Sequence, residues 1–330
     1  MHIMATSIGL VVALLLSLTP AAWSANGSTT GPPDGSGPIA PSGQVVQFHN
    51  TSLGGCLDCY VSGVALRNQP PAPPGASGTI PVPAAVVATA IFAELYWATL
   101  TATTAPPPAT ETFNGVLLAR VPCGGVTVDP CWYSPTGSAH AFQADVLPLL
   151  VAGPNALAGF PDSGLLATPP ESEGATLVVV YEDSPFDKEI IVTCGNDSHP
   201  IQPPTFPFGY ANALPVASLP GTPATLYFIG ADGQTPAPVF ADQVYWNGVA
   251  LPVIGDSWMG LDPPGTGYWD TLTYSVFTGP PNTAVSETPG GSGDCINWVA
   301  TVLCAGKQTC LIPVEPSTWG QIKSRYDNRN

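Results

Sequence analysis

Apolar and polar positions in this chain alternate in short runs, and the runs predict strands. Ala84 to Thr101 is rich in Val, Ile, Phe, Tyr, Trp and Thr, and Ile91-Phe92-Ala93-Glu94-Leu95-Tyr96-Trp97 suits a strand buried on both faces or nearly so, with a helix as the competing reading. Gly174 to Glu182, with Leu177-Val178-Val179-Val180-Tyr181, reads as a central strand, and Lys188 to Cys194 as its antiparallel partner across an acidic turn. Further strands are expected at Tyr268 to Phe277 and Ile296 to Leu303. In the first of these, Trp269, Thr271, Thr273 and Ser275 alternate with Leu272, Tyr274 and Val276, which marks one wet and one dry face.

The turn chemistry agrees. In Thr112-Phe113-Asn114-Gly115-Val116-Leu117-Leu118 an Asn-Gly pair separates two apolar runs, and both residues of a type I′ turn need positive φ, so a hairpin is predicted. Phe240 to Leu251 carries the same features, an aromatic-rich strand followed by Asn247-Gly248 and then Val and Leu. The likeness suggests two related sandwiches, although Asn-Gly recurs wherever hairpins do. The 40 prolines and 35 glycines interrupt helical periodicity every few residues. The predicted fold class is therefore all-β, with two antiparallel, jelly-roll-like β-sandwich halves at 44–198 and 209–316, a Pro-rich linker at 199–208 and a polar tail at 317–330. Before the first sandwich, 25–43 reads as a flexible Gly/Ser/Pro leader.

Residues 1–24 read as a secretory signal, with an apolar stretch from Ile8 to Leu18 and then Ala22-Trp23-Ser24, small residues at the two positions that signal peptidase reads. No later segment is apolar enough for a membrane span, so no membrane insertion is expected after signal removal. Only 9% of residues are charged, against about 25% in average domains. Seven basic residues and a net charge of −16 exclude the clustered Lys and Arg that nucleic acids require. An acidic, soluble exterior is implied, to which divalent cations are natural ligands. Self-association is left open.

The eight cysteines of an exported chain are expected to pair. Cys123 and Cys131 bracket a Gly-rich turn and are the first expected bridge; Cys304 and Cys310 flank Gly306 in a similar way. Cys56 and Cys59 lack the second Cys-x-x-Cys pair of a zinc ribbon and the βαβ setting of a redox motif, so they are assigned to structural disulfides. Cys194 and Cys295 then pair with each other or with that pair.

Candidate chemistry is sparse. Gly255-Asp256-Ser257 matches the opening block of Gly-Asp-Ser hydrolases, but all four histidines (His2, His49, His140 and His199) precede the serine, against the chain order such enzymes need. Glu182, Asp183, Asp187 and Glu189 cluster near one predicted turn, and Asp232 and Asp242 flank another. Calcium suits oxygen ligands in such loops, with Asp183, Asp187, Asp232 and Asp242 as its candidates, yet no Asp-x-Asp-x-Asp-Gly run specifies it, and a solvated acidic turn is preferred. Trp132, Tyr133, Trp258, Tyr268 and Trp269 lie in Gly- and Pro-rich stretches where side chains are often exposed and flat rings can stack on sugars, but covering sandwich ends or packing beside disulfides is the preferred reading. Asn26, Asn50 and Asn196 each begin a glycosylation sequon.

Taken together, Ala93-Glu94-Leu95-Tyr96-Trp97, Phe113-Asn114-Gly115, Ala144-Asp145-Val146, Gly174 to Asp183 and Asp294-Cys295-Ile296-Asn297-Trp298-Val299 resemble a family of exported bacterial and archaeal domains of unknown function. The likeness covers roughly Val82 to Leu303. It implies a secreted or cell-surface β-sandwich protein of the kind often joined to anchoring or adhesive modules; no such module follows Asn330, which argues against permanent surface attachment. The expected role is structural, adhesive or matrix-forming rather than enzymatic. Extracellular surface proteins or glycans are its expected partners. The alternatives are a carbohydrate-binding module and a glycan hydrolase using paired carboxylates.

Overall fold

A computed structural model describes residues 45–48, 56–67, 75–128, 137–165, 168–182, 186–199, 208–231, 242–252, 257–263, 268–288 and 296–309. The signal segment, the leader and the polar tail lie outside these residues. The described strands run, in chain order, β1 (Val45–Phe48), β2 (Leu57–Ala65), β3 (Ala76–Val82), β4 (Ala90–Thr101), β5 (Thr112–Phe113), β6 (Val116–Leu117), β7 (Val121–Pro122), β8 (Thr127–Val128), β9 (Ser138–Asp145), β10 (Gly153–Phe160) and β11 (Glu171–Glu182). They continue with β12 (Phe186–His199), β13 (Phe208–Ala213), β14 (Pro223–Ala231), β15 (Gln243–Trp246), β16 (Val249–Ala250), β17 (Trp269–Phe277), β18 (Thr283–Thr288) and β19 (Ile296–Thr309). Among the described residues no helix is long and apolar enough to cross a membrane.

These strands form four antiparallel sheets, ordered β3-β10-β5-β6, β2-β11-β4-β9-β7, β1-β12-β19-β14-β17 and β13-β18-β15-β16. Side-chain alternation stacks them in that order. On β11, Ala175, Leu177 and Val179 enter the core shared with β3, β5 and β10, whereas Val178 and Val180 point the other way, into a core shared with β12, β14 and β19. On β14, Leu226 and Phe228 reach a third core with Val244, Trp246 and Ala284 of the last sheet. Two sandwiches thus meet through their inner sheets, and β4 and β11 are buried on both faces over most of their length.

The two sandwiches repeat one topology. Chain order β2-β3-β4-β5-β6-β9-β10-β11 maps strand for strand onto β12 to β19, and both the inner and the outer sheet orders are preserved by that mapping. Local detail repeats too. Asn114 and Asn247 have φ of 51° and 52°, and each is followed by a glycine at positive φ. The Asn114 amide donates to Ala156 O and the Asn247 amide to Thr283 O. Their side chains repeat the same bridge, accepting from the Ala156 and Thr283 amides at 2.8 Å each. Internal repetition therefore accounts for the likeness of the halves better than recurrent hairpin chemistry does. Because the asparagine bridges its turn to the neighbouring strand while holding a left-handed φ, Asn114→Ala is expected to cost about 2 kcal/mol. A urea midpoint within error of the parent would refute that assignment.

Three expectations about the fold need correction. Ala84–Ala88 is one helical turn ahead of β4, because alanines after Pro83 favour helix and no strand partner reaches them. The Lys188 to Cys194 segment does not pair with β11: β11 lies between β2 and β4, while β12 lies between β1 and β19. The chain leaves one inner sheet and enters the other. Consequently β1 and β12, placed by the sequence in the first half, belong to the second sandwich, and the division between sandwiches falls ahead of β12 rather than at 199–208.

Candidate functional site

Of the five aromatic residues singled out as candidate sugar platforms, Trp258 and Trp269 are core residues. Trp258 and Trp269 are both 0% exposed. Trp258 stands edge-on to Phe228, and its Nε1 donates to Ser286 Oγ at 3.2 Å. Trp269 lies over Gly174, where a Cβ would overlap the indole, and its Nε1 donates to Thr176 Oγ1 at 2.9 Å. Tyr268 is half-buried, with the Arg67 guanidinium 3.9 Å above its ring. Glycines near these rings mark close packing, not exposure. Trp132 and Tyr133 lie outside the described residues.

Of the acidic candidates, Asp242 and Glu189 are described with their side chains buried. Asp242 is buried and its carbonyl accepts from the Ser257 amide, while Ser257 Oγ accepts from the Val244 amide. Glu189 is buried and caps the Ala217 and Ser218 amides at 2.8 and 2.7 Å. Asp183 and Asp232 lie outside the described residues, as does the side chain of Asp187 on β12. Among the described residues no three His, Cys, Asp or Glu side chains converge on one point. The Asn196 sequon is buried, and its Nδ2 donates to Gly125 O and Ala139 O at 2.7 Å each, so a glycan there would break both bonds.

The elaborated region is the seam between the two inner sheets. Cys59 on β2 is bonded to Cys304 on β19, and Cys123 to Cys194 on β12. These pairs replace the expected Cys123–Cys131 and Cys304–Cys310 bridges, and Cys194 is not joined to Cys295 or to the Cys56/Cys59 pair. Cys56 is disulfide-bonded as well; Cys131, Cys295 and Cys310 lie outside the described residues. Proximity in sequence proved a poor guide because alternation turns Cys59 and Cys304 toward each other across the seam. At one end of the seam Arg67 bonds Glu171 at 2.9 Å and Glu173 at 3.1 Å. Beside it, Thr176 of β11 is hydrogen-bonded to both Trp269 Nε1 and Thr271 of β17, and Thr271 donates in turn to Asp262. Lys188 of β12 pairs with Asp58 of β2.

At the other end, β12 carries a bulge. Cys194 faces Ala300 and Asp197 faces Trp298, so Gly195 and Asn196 oppose Val299 alone. Beside the bulge is a cavity of about 10 Å³, room for one water-sized particle, lined by Thr193, Asp197, Asn212, Trp298 and Thr301 among others. Asn212 Nδ2 donates to the hydroxyls of Thr193 and Thr301. Asp197 is 7% exposed. Sequence reasoning missed this site, although a glycine inside a strand pattern, Gly195, is the signal of a bulge.

Burial pushes the Asp197 carboxyl up to about 7. Asp270 is likewise raised to about 7 by burial, against the opposing hydrogen bonds from the Leu261 and Gly260 amides. The usual aspartate value is 3.8, so between that value and about 7 the folded state holds protons that the unfolded chain has released. This contribution to stability is complete below the unfolded value and is lost as pH rises through about 7. The urea midpoint is therefore expected to be higher near about pH 5 than near about pH 8. A midpoint that climbs across that interval would contradict the assignment.

No family model matches the chain, and no curated protein matches it. Among solved structures, one similar chain is BpGH86A, a β-porphyranase of glycoside hydrolase family 86 from the human gut bacterium Bacteroides plebeius, at 11% identity and a TM-score of 0.26; the match covers 82% of this chain and 37% of that one. The chain thus spans about a third of that protein's length. A peptide-N(4)-(N-acetyl-β-D-glucosaminyl) asparagine amidase is matched at 12% identity and a TM-score of 0.23, over 75% of this chain and 96% of that one. The CUB1-EGF-CUB2 domain of human MASP-1/3 is matched at 9% identity and a TM-score of 0.20, over 76% and 99%. At such scores none of the three assigns an activity to this chain.

Proposed function

We propose that the chain is an exported, non-catalytic double β-sandwich with a structural or adhesive role, secreted or held at the cell surface. The observation that carries this reading is the cross-linked seam. Disulfides between residues separated by 245 and 71 positions tie one sandwich to the other, and such bonds persist in oxidising compartments. The low charge content and the resemblance to exported β-sandwich domains support the same reading. Other extracellular surface proteins or glycans are its proposed partners. The carbohydrate-binding alternative no longer draws on Trp258 and Trp269, which are buried and offer no face to a sugar.

The test is to fractionate producing cells and titrate thiols in the denatured, unreduced protein. Recovery from the medium or the cell surface, with Cys59, Cys123, Cys194 and Cys304 blocked, is the expected result. A cytosolic protein with those thiols free would sink the proposal. Saturable binding on a glycan array would move it toward carbohydrate recognition.

A further inference from the structure

We propose that the open edge of β17 is a dimerisation site, where a second copy of this chain adds its own β17 antiparallel about a two-fold axis through Tyr274. The inner sheet of the second sandwich then runs on into its twin. This inference does not depend on the compartment or the role proposed above.

The internal repeat shows where the edge lies open. In the first sandwich β9, the counterpart of β17, is covered by short strands, β7 pairing at Gln143 and Phe142 and β8 at Ala139 and Ser138. In the second sandwich, among the described residues, the sheet ends at β17. The Asp262 amide donates to Trp269 O at 3.1 Å and the Asp262 carboxyl group faces the Thr271 amide, which covers only the start of the edge. The Thr278 amide donates to Thr222 O at 2.8 Å, so the even-numbered residues bond toward β14 and the odd-numbered ones turn their backbone groups outward. Thr273, Ser275 and Phe277 are exposed, Phe277 at 66%. Edge strands are commonly blunted by lysine or proline, yet Thr271 to Phe277 holds no charge, proline or glycine. In a chain of net charge −16 two copies can meet along it without opposing like charges.

The pattern of open groups selects a second copy as the occupant. Among the described residues the open donors are the amides of Thr273, Ser275 and Phe277, and the open acceptors are the carbonyls of Thr271, Thr273 and Ser275. The Thr271 amide is engaged by Asp262, and Phe277 O accepts from Trp246 Nε1 at 2.8 Å. A two-fold through Tyr274 sets Thr273 of one copy against Ser275 of the other, and Thr271 against Phe277. Every open amide then meets an open carbonyl, and the engaged amide falls opposite the engaged carbonyl. A two-fold through Ser275 would instead direct the Thr273 amide at Phe277 O, which is already in use.

The experiment is sedimentation equilibrium of the full chain, with amide hydrogen exchange measured on the same samples. A reversible dimer with a dissociation constant of roughly micromolar order is expected for so small a contact, and the Thr273, Ser275 and Phe277 amides should slow as it forms. Ser275→Pro removes an outward donor without touching the β14 ladder. It should weaken the dimer roughly thirtyfold, because the loss counts twice across the two-fold. Thr273→Lys, at an exposed edge position, should weaken it as well and carries the test if Ser275→Pro does not fold. A mass that stays monomeric at every concentration, or a dimer that both variants leave intact, would overturn the proposal. So would edge amides already protected in the monomer, which would place a segment of the same chain on β17.

Discussion

Replacing Cys59 and Cys304 together by alanine is expected to lower the free energy of unfolding by about 5 kcal/mol. The bridge spans 245 residues, and the entropy it removes from the unfolded chain grows with the logarithm of the closed loop, so few single cross-links in a chain of this length have more leverage. The Cys123–Cys194 bridge, with 71 residues between its ends, should contribute about 4 kcal/mol by the same relation. Its loop is nested inside the first. With the inner bridge formed, the path that the outer bridge closes is shorter, so the two together should contribute less than the sum of what each would contribute alone. Guanidinium unfolding without reductant reads the effect, and a loss under about 1 kcal/mol for the Cys59/Cys304 double variant would mean that apolar burial alone holds the seam.

Arg67→Leu is expected to cost about 3 to 5 kcal/mol. The Glu171 and Glu173 side chains are 3% and 0% exposed and share the one guanidinium, itself 9% exposed beneath the Tyr268 ring. Removing the cation deprives two buried carboxylates of their ion pair at once, which is far worse than losing an exposed bridge. Arg67→Lys should recover only part of the loss, because an ammonium lacks the planar fork that engages both acids and the flat face that stacks on tyrosine. Thermal and urea midpoints check the ordering of parent, lysine and leucine variants. A leucine variant within about 1 kcal/mol of the parent would show that the acids are held by other means.

Much of the fold can be read from local chemistry. Asn114-Gly115 and Asn247-Gly248 turn as hairpins because both positions adopt positive φ, a requirement visible in two letters of sequence. Strands β4 and β11 are apolar on both faces, and that too is visible. Which face meets which sheet is another matter. Alternation reports that Val178 and Leu177 point apart but not that one meets its own outer sheet and the other meets a second sandwich. The cysteine pairing was hidden for the same reason, since it follows from the stacking of layers. That Trp258 and Trp269 pack rather than stack on a ligand agrees with the preferred reading of their Gly- and Pro-rich stretches, but the gaps into which the indoles fit, Gly230 and Gly174, lie in other strands and are not legible from those stretches. The Asp197 cavity depends on one extra residue in β12, a defect in register that no periodicity reveals.

The stacking of the inner sheets bears on how this molecule can be cut. A fragment ending after β11 would present Val178, Val180, Tyr96 and Ala98 to water over a whole sheet face, and one beginning at 209 would lack β12, the neighbour of β19. Neither piece has a complete interior of its own. Truncated versions made for crystallisation or display should therefore precipitate or recruit their missing complement in trans, and co-expression of 44–182 with 186–316 is the split most apt to restore a soluble particle.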